Sequence, residues 1–284
     1  MRYLLIADIH SNPYPLYKCL EKEKGNFDAV IFLGDYISDM PYPERTMDYL
    51  YSLSGAYESY FIKGNREQYQ IDFMKKAILF NRRTSSSGSL LYTYQRLRQK
   101  DLDFFQTLED TSVIDVPDYG KIRICHGTPD SMYDMIIPVS SEALEIIENM
   151  DTEILICAHS HTQLQYEKNG KTIINPGSIG IPLQSTDPQY AVLSVEGKKV
   201  SVDLKTITYD KEIIIKDILS SGLLTEAPIY TKLILKELNT GVDYMPSVLK
   251  SASELAVKQN LEYTKHSIPE ICWEQAYNLM FPNE

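Results

Sequence analysis

The chain has 284 residues, of which 43% are hydrophobic and 24% charged, and its formal net charge is −11. These values are typical of a soluble globular protein with one large core and an appendage. The negative charge disfavours long nucleic acids as partners, because it would repel a phosphate backbone. No apolar run reaches the length of a membrane span, and the first run is too short for a signal peptide, so we expect a cytoplasmic protein with no membrane partner.

Five short apolar runs each end at a residue that can bind a metal. We predict that each run is a buried strand whose tip presents the polar side chain. Strand tips at one edge of a sheet converge, so these side chains are expected to form one pocket. The runs are 3–7 before Asp8, 29–33 before Asp35, 60–63 before Asn65, 122–125 before His126 and 154–157 before His159.

Two further histidines belong to the same pattern. His10 stands two residues after Asp8, and His161 stands two after His159, so a continuing extended conformation would point each pair to one side. Carboxylate, imidazole and amide ligands without cysteine suit divalent Mn, Fe, Zn, Ni or Co, and we expect manganese first among them. Seven ligands are too many for one tetrahedral ion. The set therefore indicates two divalent ions that share a bridging carboxylate.

These residues lie in an ordered series of short motifs. The motifs are Asp8-Ile9-His10, Gly34-Asp35, Gly64-Asn65-Arg66-Glu67, His126-Gly127 and Ala158-His159-Ser160-His161. The series resembles that of the calcineurin-like metallophosphoesterases over residues 1–208, and the segment 175–180 resembles a loop of their small bacterial phosphodiesterase branch. The resemblance implies an α/β (α+β) fold, a sandwich of two β-sheets flanked by helices.

The resemblance also implies a division of the ligands between two ions. Asp8, His10, Asp35 and His161 would hold one ion, and Asp35, Asn65, His126 and His159 would hold the other. Asp35, Asn65, Arg66 and His126 would form the catalytic group. Two dications acidify a shared water and neutralise charge at phosphorus, so the nucleophile is expected to be a hydroxide that bridges the metals.

The resemblance implies metal-dependent phosphoester hydrolysis. Among possible substrates it favours a small or nucleotide-like phosphodiester. The alternatives are a phosphomonoesterase or nucleotide pyrophosphatase of the same fold, and a catalytically silent metal-binding scaffold that acts through its helical tail. An amide hydrolase with the same ligands has no supporting motif. The sequence contains no Gly-x-Ser-x-Gly elbow and no cysteine followed by a phosphate-binding loop, which excludes the common protein nucleophiles.

Three positions depart from the motifs of the relatives. Arg66 stands where many of them have a histidine, and because a guanidinium stays charged, we expect it to bind phosphate charge rather than donate a proton. Ala158 replaces a glycine before the histidine pair. The acidic residue after Gly34-Asp35 is Asp39, one place later than in many relatives, and the sequence leaves its role open.

A basic insert is predicted at about residues 68–110. Between Phe73 and Lys100 it contains seven basic residues and no acidic one. It is either a helical hairpin with a solvated basic face or a lid that binds the phosphate and base of a nucleotide-like substrate. The candidate substrate-binding residues are Arg66, Arg82, Arg83, Arg96 and Arg98. His266 is predicted to be a surface or packing residue outside the site.

The remaining pattern completes the predicted fold. Helices are predicted at 15–24, 43–54, 101–108 and 140–150, and strands at 172–174, 191–195 and 200–208. Residues 1–208 are assigned to the metallophosphoesterase domain and 209–284 to a helical extension of three or four helices, where Pro228, Pro246 and Pro269 mark first turns. The extension is expected to pack on the main domain, or to form a homo-oligomer or partner face.

Overall fold

Two five-stranded mixed β-sheets form the centre of the computed structural model, which describes residues 1–137, 140–264 and 266–284. The first sheet contains β1 (Arg2–Ile6), β2 (Ala29–Phe32), β3 (Glu58–Phe61), β9 (Gln189–Glu196) and β10 (Lys199–Thr206), in the order β10-β9-β1-β2-β3. The second contains β4 (Thr111–Val116), β5 (Gly120–Cys125), β6 (Ile154–Ile156), β7 (Gln163–Lys168) and β8 (Lys171–Pro176), in the order β4-β5-β6-β8-β7.

Parallel pairing places the strand ends that matter at common edges. In the first sheet β1, β2 and β3 are parallel, with Leu4 opposite Val30 and Val30 opposite Ser59. In the second sheet β5, β6 and β8 are parallel, with Ile156 between its neighbours on the flanking strands. The carboxyl ends of each set therefore lie at the same edge of their sheet.

Eleven helices surround or extend the sheets in the described part of the chain. Those of the first two hundred residues are α1 (Pro13–Glu23), α2 (Pro43–Ala56), α3 (Asn65–Met74), α4 (Gly88–Tyr94), α5 (Gln99–Thr107) and α6 (Ser141–Asn149). The C-terminal ones are α7 (Lys211–Ser220), α8 (Leu223–Glu226), α9 (Pro228–Thr240), α10 (Met245–Lys258) and α11 (Glu270–Met280). None of the described helices is long and apolar enough to cross a membrane.

The main core lies between the two sheets. Successive residues of a strand point to opposite faces, so Leu5 and Ile31 pack against Ile124 and Ile156 of the other sheet. The opposite face of the first sheet packs against α1 and α2, and α6 covers the outer face of the second. The inner strands β2 and β6 are apolar on both faces because both faces are buried.

The sandwich predicted from the resemblance is confirmed. Each predicted strand and each of the four helices predicted before residue 151 lies within two residues of an observed element. Two strands were missed, β4 and β7. Both are edge strands in which exposed or half-exposed polar residues interrupt the apolar pattern, so neither forms a continuous apolar run.

The C-terminal helices pack against the main domain in the same chain. Ser85 in the basic insert donates its backbone N–H and its hydroxyl to the carboxylate of Glu270 on α11, at 2.5 and 2.8 Å. The Thr84 N–H donates to the Glu226 carbonyl at 2.9 Å. The tail has four longer helices and the single-turn α8, and the predicted division at residue 208 falls between β10 and α7.

Gly88 tests this docking. A Cβ at Gly88 would lie 1.7 Å from the Glu226 carbonyl oxygen, so Gly88→Ala must displace the tail, and we expect it to lower the free energy of unfolding by about 1 to 3 kcal/mol. Gly55, in α2, has open space around its Cβ position, and Gly55→Ala should instead stabilise by about 0.5 to 1 kcal/mol. Denaturant unfolding measures both. Equal stability of Gly88→Ala and the wild type would contradict the packing.

Candidate functional site

The strand tips carry the predicted ligands in an unusual backbone conformation. Asp8, His10, Asp35, His159 and His161 all have positive φ, between 50° and 67°. The expectation that each Asp/His or His/His pair continues the extended strand was therefore wrong, because the chain turns sharply at each tip. Non-glycine residues in this region are strained by about 1 to 3 kcal/mol each, and such residues cluster at functional sites.

Six of the predicted ligands form two clusters. Asp8, His10 and His161 make up the first, and Asp35, His126 and His159 the second, and within each the ligand atoms lie within 4.8 Å of one another. His159 and His161, which are two residues apart in sequence, thus belong to different clusters. The seventh predicted ligand, Asn65, places its Oδ1 3.1 Å from His126 Nε2. The structure therefore brings all seven side chains together.

Asp35 lies between the clusters. Its Oδ2 is 3.5 Å from His126 Nε2 on one side and 3.9 Å from His10 Nε2 on the other. Its Oδ1 accepts the backbone N–H of Arg66 at 2.8 Å, which fixes the carboxylate plane. This is the arrangement expected of a carboxylate shared by two ions.

Three of the histidines are oriented by backbone carbonyls. Each donates one ring N–H to a carbonyl oxygen, so the other ring nitrogen keeps its lone pair for a metal. The pairs are His126 Nδ1 with Leu33 O at 2.7 Å, His161 Nδ1 with Ile181 O at 2.8 Å, and His159 Nε2 with Tyr133 O at 3.2 Å. Burial lowers the pKa of His159 to about 4, so this ring is neutral at pH 7.

The first cluster contains buried polar atoms that a cation would satisfy. Asp8 Oδ1 is buried and accepts no hydrogen bond, and burial raises the pKa of this carboxyl to about 7. His10 Nε2 and His161 Nε2 face each other at 3.0 Å. Because His161 donates through its other nitrogen, its Nε2 has a lone pair but no proton to share. The residues present therefore fit a divalent ion.

Asp39, whose role is open from its sequence position alone, lies against the remaining histidine, His10. Its Oδ2 lies 2.9 Å from His10 Nδ1 and 3.0 Å from Arg66 Nη2, and its Oδ1 accepts from Ser89 and Tyr230. Burial by itself would raise the pKa of Asp39. The Arg66 guanidinium and the His10 ring outweigh burial and hold that pKa well below its usual value, so the carboxyl is ionised. It therefore lies against the His10 ring as an ion-pair partner, where the other three histidines have a backbone carbonyl.

Tyr230 brings the C-terminal extension into the site. The tyrosine belongs to α9, and its hydroxyl accepts from Arg66 Nη2 at 2.8 Å while donating to Asp39 Oδ1 at 2.9 Å. Arg66 Nε lies 3.9 Å from Asp35 Oδ2. Sequence reasoning missed Tyr230 because the motif series ends before it, and no local signal distinguishes this tyrosine from the other tyrosines of the chain.

Glu67 and Gly64 hold the loops beneath Asp35. The buried carboxylate of Glu67 accepts the backbone N–H groups of Asp35, Tyr36 and Gly64, each at 2.9 Å. A Cβ at Gly64 would lie 2.2 Å from Asp35 Oδ1, so only glycine allows this approach. Glu67, which follows Asn65 and Arg66 in the motif, thus has a structural task.

The arginines predicted for substrate binding fall into two groups. Arg66 lines the cavity beside the clusters. The structure does not bring the other four to that cavity: Arg82 pairs with Glu226, Arg98 pairs with Asp48 and Asp101, Arg96 stacks on Tyr92, and the exposed Arg83 is also absent from the lining. Their role as a substrate lid stays a prediction, and the function proposed below does not depend on it.

The cavity adjoining the clusters has a volume of about 210 Å³. Its lining includes the predicted ligands Asn65 and His159 and the neighbouring Arg66. The basic insert and the tail supply most of the rest. His266 is part of this lining, and its ring packs against those of Tyr69 and Phe80. The expectation that His266 packs was correct, but its placement away from the site was wrong, because the tail folds back over the strand tips.

Asp39→Asn tests the orientation of His10. The amide keeps the shape but removes the charge that holds the His10 ring, so we expect metal affinity to fall about 10- to 100-fold. Titration calorimetry of metal-free protein with Mn²⁺ measures the change. Asp48→Asn, which removes a surface partner of Arg98, is the matched control and should leave the affinity unchanged. Equal affinities in all three proteins would show that Asp39 does not act on the site.

Comparison with known proteins agrees with the fold. A sequence model described as the calcineurin-like phosphoesterase superfamily domain matches residues 1–198. A metallophosphoesterase from Sphaerobacter thermophilus superposes with a TM-score of 0.67 at 21% identity, covering 85% of this chain and 100% of its own. A hypothetical protein from Pyrococcus horikoshii OT3 superposes with a TM-score of 0.67 at 19% identity, covering 80% and 98%.

Proposed function

Because this chain belongs to the calcineurin-like phosphoesterase superfamily, whose members are metal-dependent phosphoesterases, we propose that it hydrolyses phosphodiesters with two divalent ions. The observation that carries the proposal is the position of Asp35 between two clusters of His and Asp ligands. A dinuclear centre is the usual device for stabilising both the attacking and the leaving oxygen in phosphoryl transfer.

The ligands divide between the ions as the clusters do. Asp8, His10 and His161 would hold one ion, and His126, His159 and Asn65 the other, with Asp35 shared. When bound, the ions would supply Lewis acidity that activates water and neutralises the phosphoryl oxygens. Imidazole and carboxylate ligands suit Mn, Fe, Zn, Ni or Co, and we propose manganese first.

Arg66 is the residue that we propose to contact the phosphoryl group. Its guanidinium is held by Asp39 and Tyr230, so its charge is fixed in place before substrate binds. A guanidinium stays protonated and so stabilises developing negative charge without transferring a proton. The leaving group must then depart without help from a proton on residue 66, which favours esters with good leaving groups.

The cavity beside the clusters favours a diester over a monoester. A diester carries a second organic group, whereas a monoester has none. Tyr69, Tyr133 and Leu249 are among the residues that line the cavity, and they offer that second group a surface on which to pack. A monoesterase or nucleotide pyrophosphatase has no observation of its own in its favour.

The decisive experiment joins elemental analysis to turnover. We expect two ions per chain in purified protein and faster hydrolysis of bis(p-nitrophenyl) phosphate than of p-nitrophenyl phosphate, in a series of added divalent metals. Asp35→Asn should lower kcat/KM at least about a hundredfold, because both ions lose a charged ligand. This loss exceeds the one expected from changing a residue that only hydrogen-bonds to a ligand.

Two results would overturn parts of the proposal. Faster turnover of the monoester would replace the diesterase with a monoesterase. Metal binding with no turnover of either ester would identify a metal-binding scaffold. Asp217→Asn serves as the control, because Asp217 accepts a hydrogen bond from Tyr14 away from the clusters and its charge should not affect turnover.

A further inference from the structure

The cavity beside the clusters has an aromatic and apolar wall contributed by parts of the chain outside the metal ligands. Tyr69 and Tyr133 pack with ring centroids 5.9 Å apart, and both line the cavity. Trp273 from α11 and Met245 and Leu249 from α10 line it from the C-terminal extension. The cavity therefore joins two chemically different surfaces, polar ligands at one part and rings and aliphatic side chains at another.

Three polar groups of this wall are engaged in hydrogen bonds within the protein. Trp273 Nε1 donates to Ser86 Oγ at 2.9 Å, and Ser86 Oγ donates to the Ile268 carbonyl at 2.9 Å. Ser85 Oγ donates to Glu270 at 2.8 Å. Because these three groups already have protein partners, a group that entered the cavity would meet ring faces and aliphatic carbon at this wall.

Such a wall selects for flat apolar groups. Aromatic side chains attract a flat ring by offset or edge-to-face packing, and this attraction tolerates different ring chemistries because every aromatic ring has a π face. A small alkyl group would gain less from this packing than a ring, because it has no π face. The wall thus discriminates between organic groups of the substrate and not between phosphates.

We propose that this cavity receives an aromatic ring attached to the phosphoester substrate. The phosphoryl group would lie beside Arg66 and the ligand clusters, and the ring would pack among Tyr69, Tyr133 and Trp273. The inference rests on the proposed function for the identity of the phosphoryl end. The ring is that of an aryl group or a nucleobase, which share the chemistry that the wall recognises.

Trp273 allows the proposal to be tested without measuring catalysis, because it is the only tryptophan of the chain. p-Nitrophenylphosphonate, which has a quenching ring and resists hydrolysis, should quench its emission saturably in metal-loaded protein. Methylphosphonate, which has no ring, should bind at least about tenfold more weakly in competition. Thymidine 5′-monophosphate and phenylphosphonate, used as two further competitors, separate the two sources of the ring. Stronger competition by thymidine 5′-monophosphate indicates a nucleobase, and stronger competition by phenylphosphonate indicates an aryl group.

A substitution that fills part of the cavity can be compared with the same substitution at an exposed position. Leu249→Phe adds volume at the half-buried wall position and should raise the dissociation constant of p-nitrophenylphosphonate at least about fivefold. Leu279→Phe makes the same change at a position that is 71% exposed on α11 and should leave that constant unchanged. Neither substitution adds a second tryptophan, so the signal stays comparable.

The outcomes separate this inference from the proposed function. Saturable quenching that Leu249→Phe weakens and Leu279→Phe does not supports the ring site, whether or not esters are hydrolysed. Quenching that does not saturate, or equal binding of the methyl and aryl phosphonates, overturns it, even when bis(p-nitrophenyl) phosphate is turned over. Loss of turnover alone bears only on the proposed phosphodiesterase.

Discussion

The carboxylate of Asp35 is the group on which the arrangement of the site depends. It is buried between two sets of histidines, one of its oxygens is fixed by the Arg66 N–H, and the other faces both sets. That position requires the loops after β2 and β3 to lie almost in contact, which Gly64 permits and the buried Glu67 carboxylate secures through three backbone hydrogen bonds. A single carboxylate thus couples the packing of the first sheet to the geometry of both ligand clusters.

Around this centre the chain divides its tasks between regions. The strand tips supply ligands, and backbone carbonyls and Asp39 aim the histidine rings. The C-terminal helices supply Tyr230, which holds Arg66 from the opposite side, and the apolar part of the cavity wall. The ligand set lies within the part of the chain that matches the superfamily, whereas α9, α10 and α11 lie beyond it. Changes in those helices can therefore alter the cavity without touching the ligands.

Much of this could be predicted from sequence because the signals are local. An apolar run of four or five residues followed by Asp8 or Asp35 specifies both a buried strand and a polar tip, and parallel pairing then gathers the tips. The sharp turns at those tips could not be predicted, because Asp and His tolerate positive φ better than most residues but rarely adopt it, and residue type alone does not specify it at Asp8 or His159. Tyr230 and His266 were missed for a similar reason: their positions depend on how the tail docks, and periodicity reveals a helix but not its partner.

The positive φ values at the strand tips have a consequence for the stability of the folded protein. Five strained residues and an unsatisfied Asp8 oxygen are gathered in one buried place, and without cations their cost falls on the native state. A dication that binds only the folded chain offsets that cost by mass action, by about 2.7 kcal/mol at a hundred times its dissociation constant. Folding and cation supply are then thermodynamically linked, so a cell starved of the ion would hold less of this protein as well as a less active form of it.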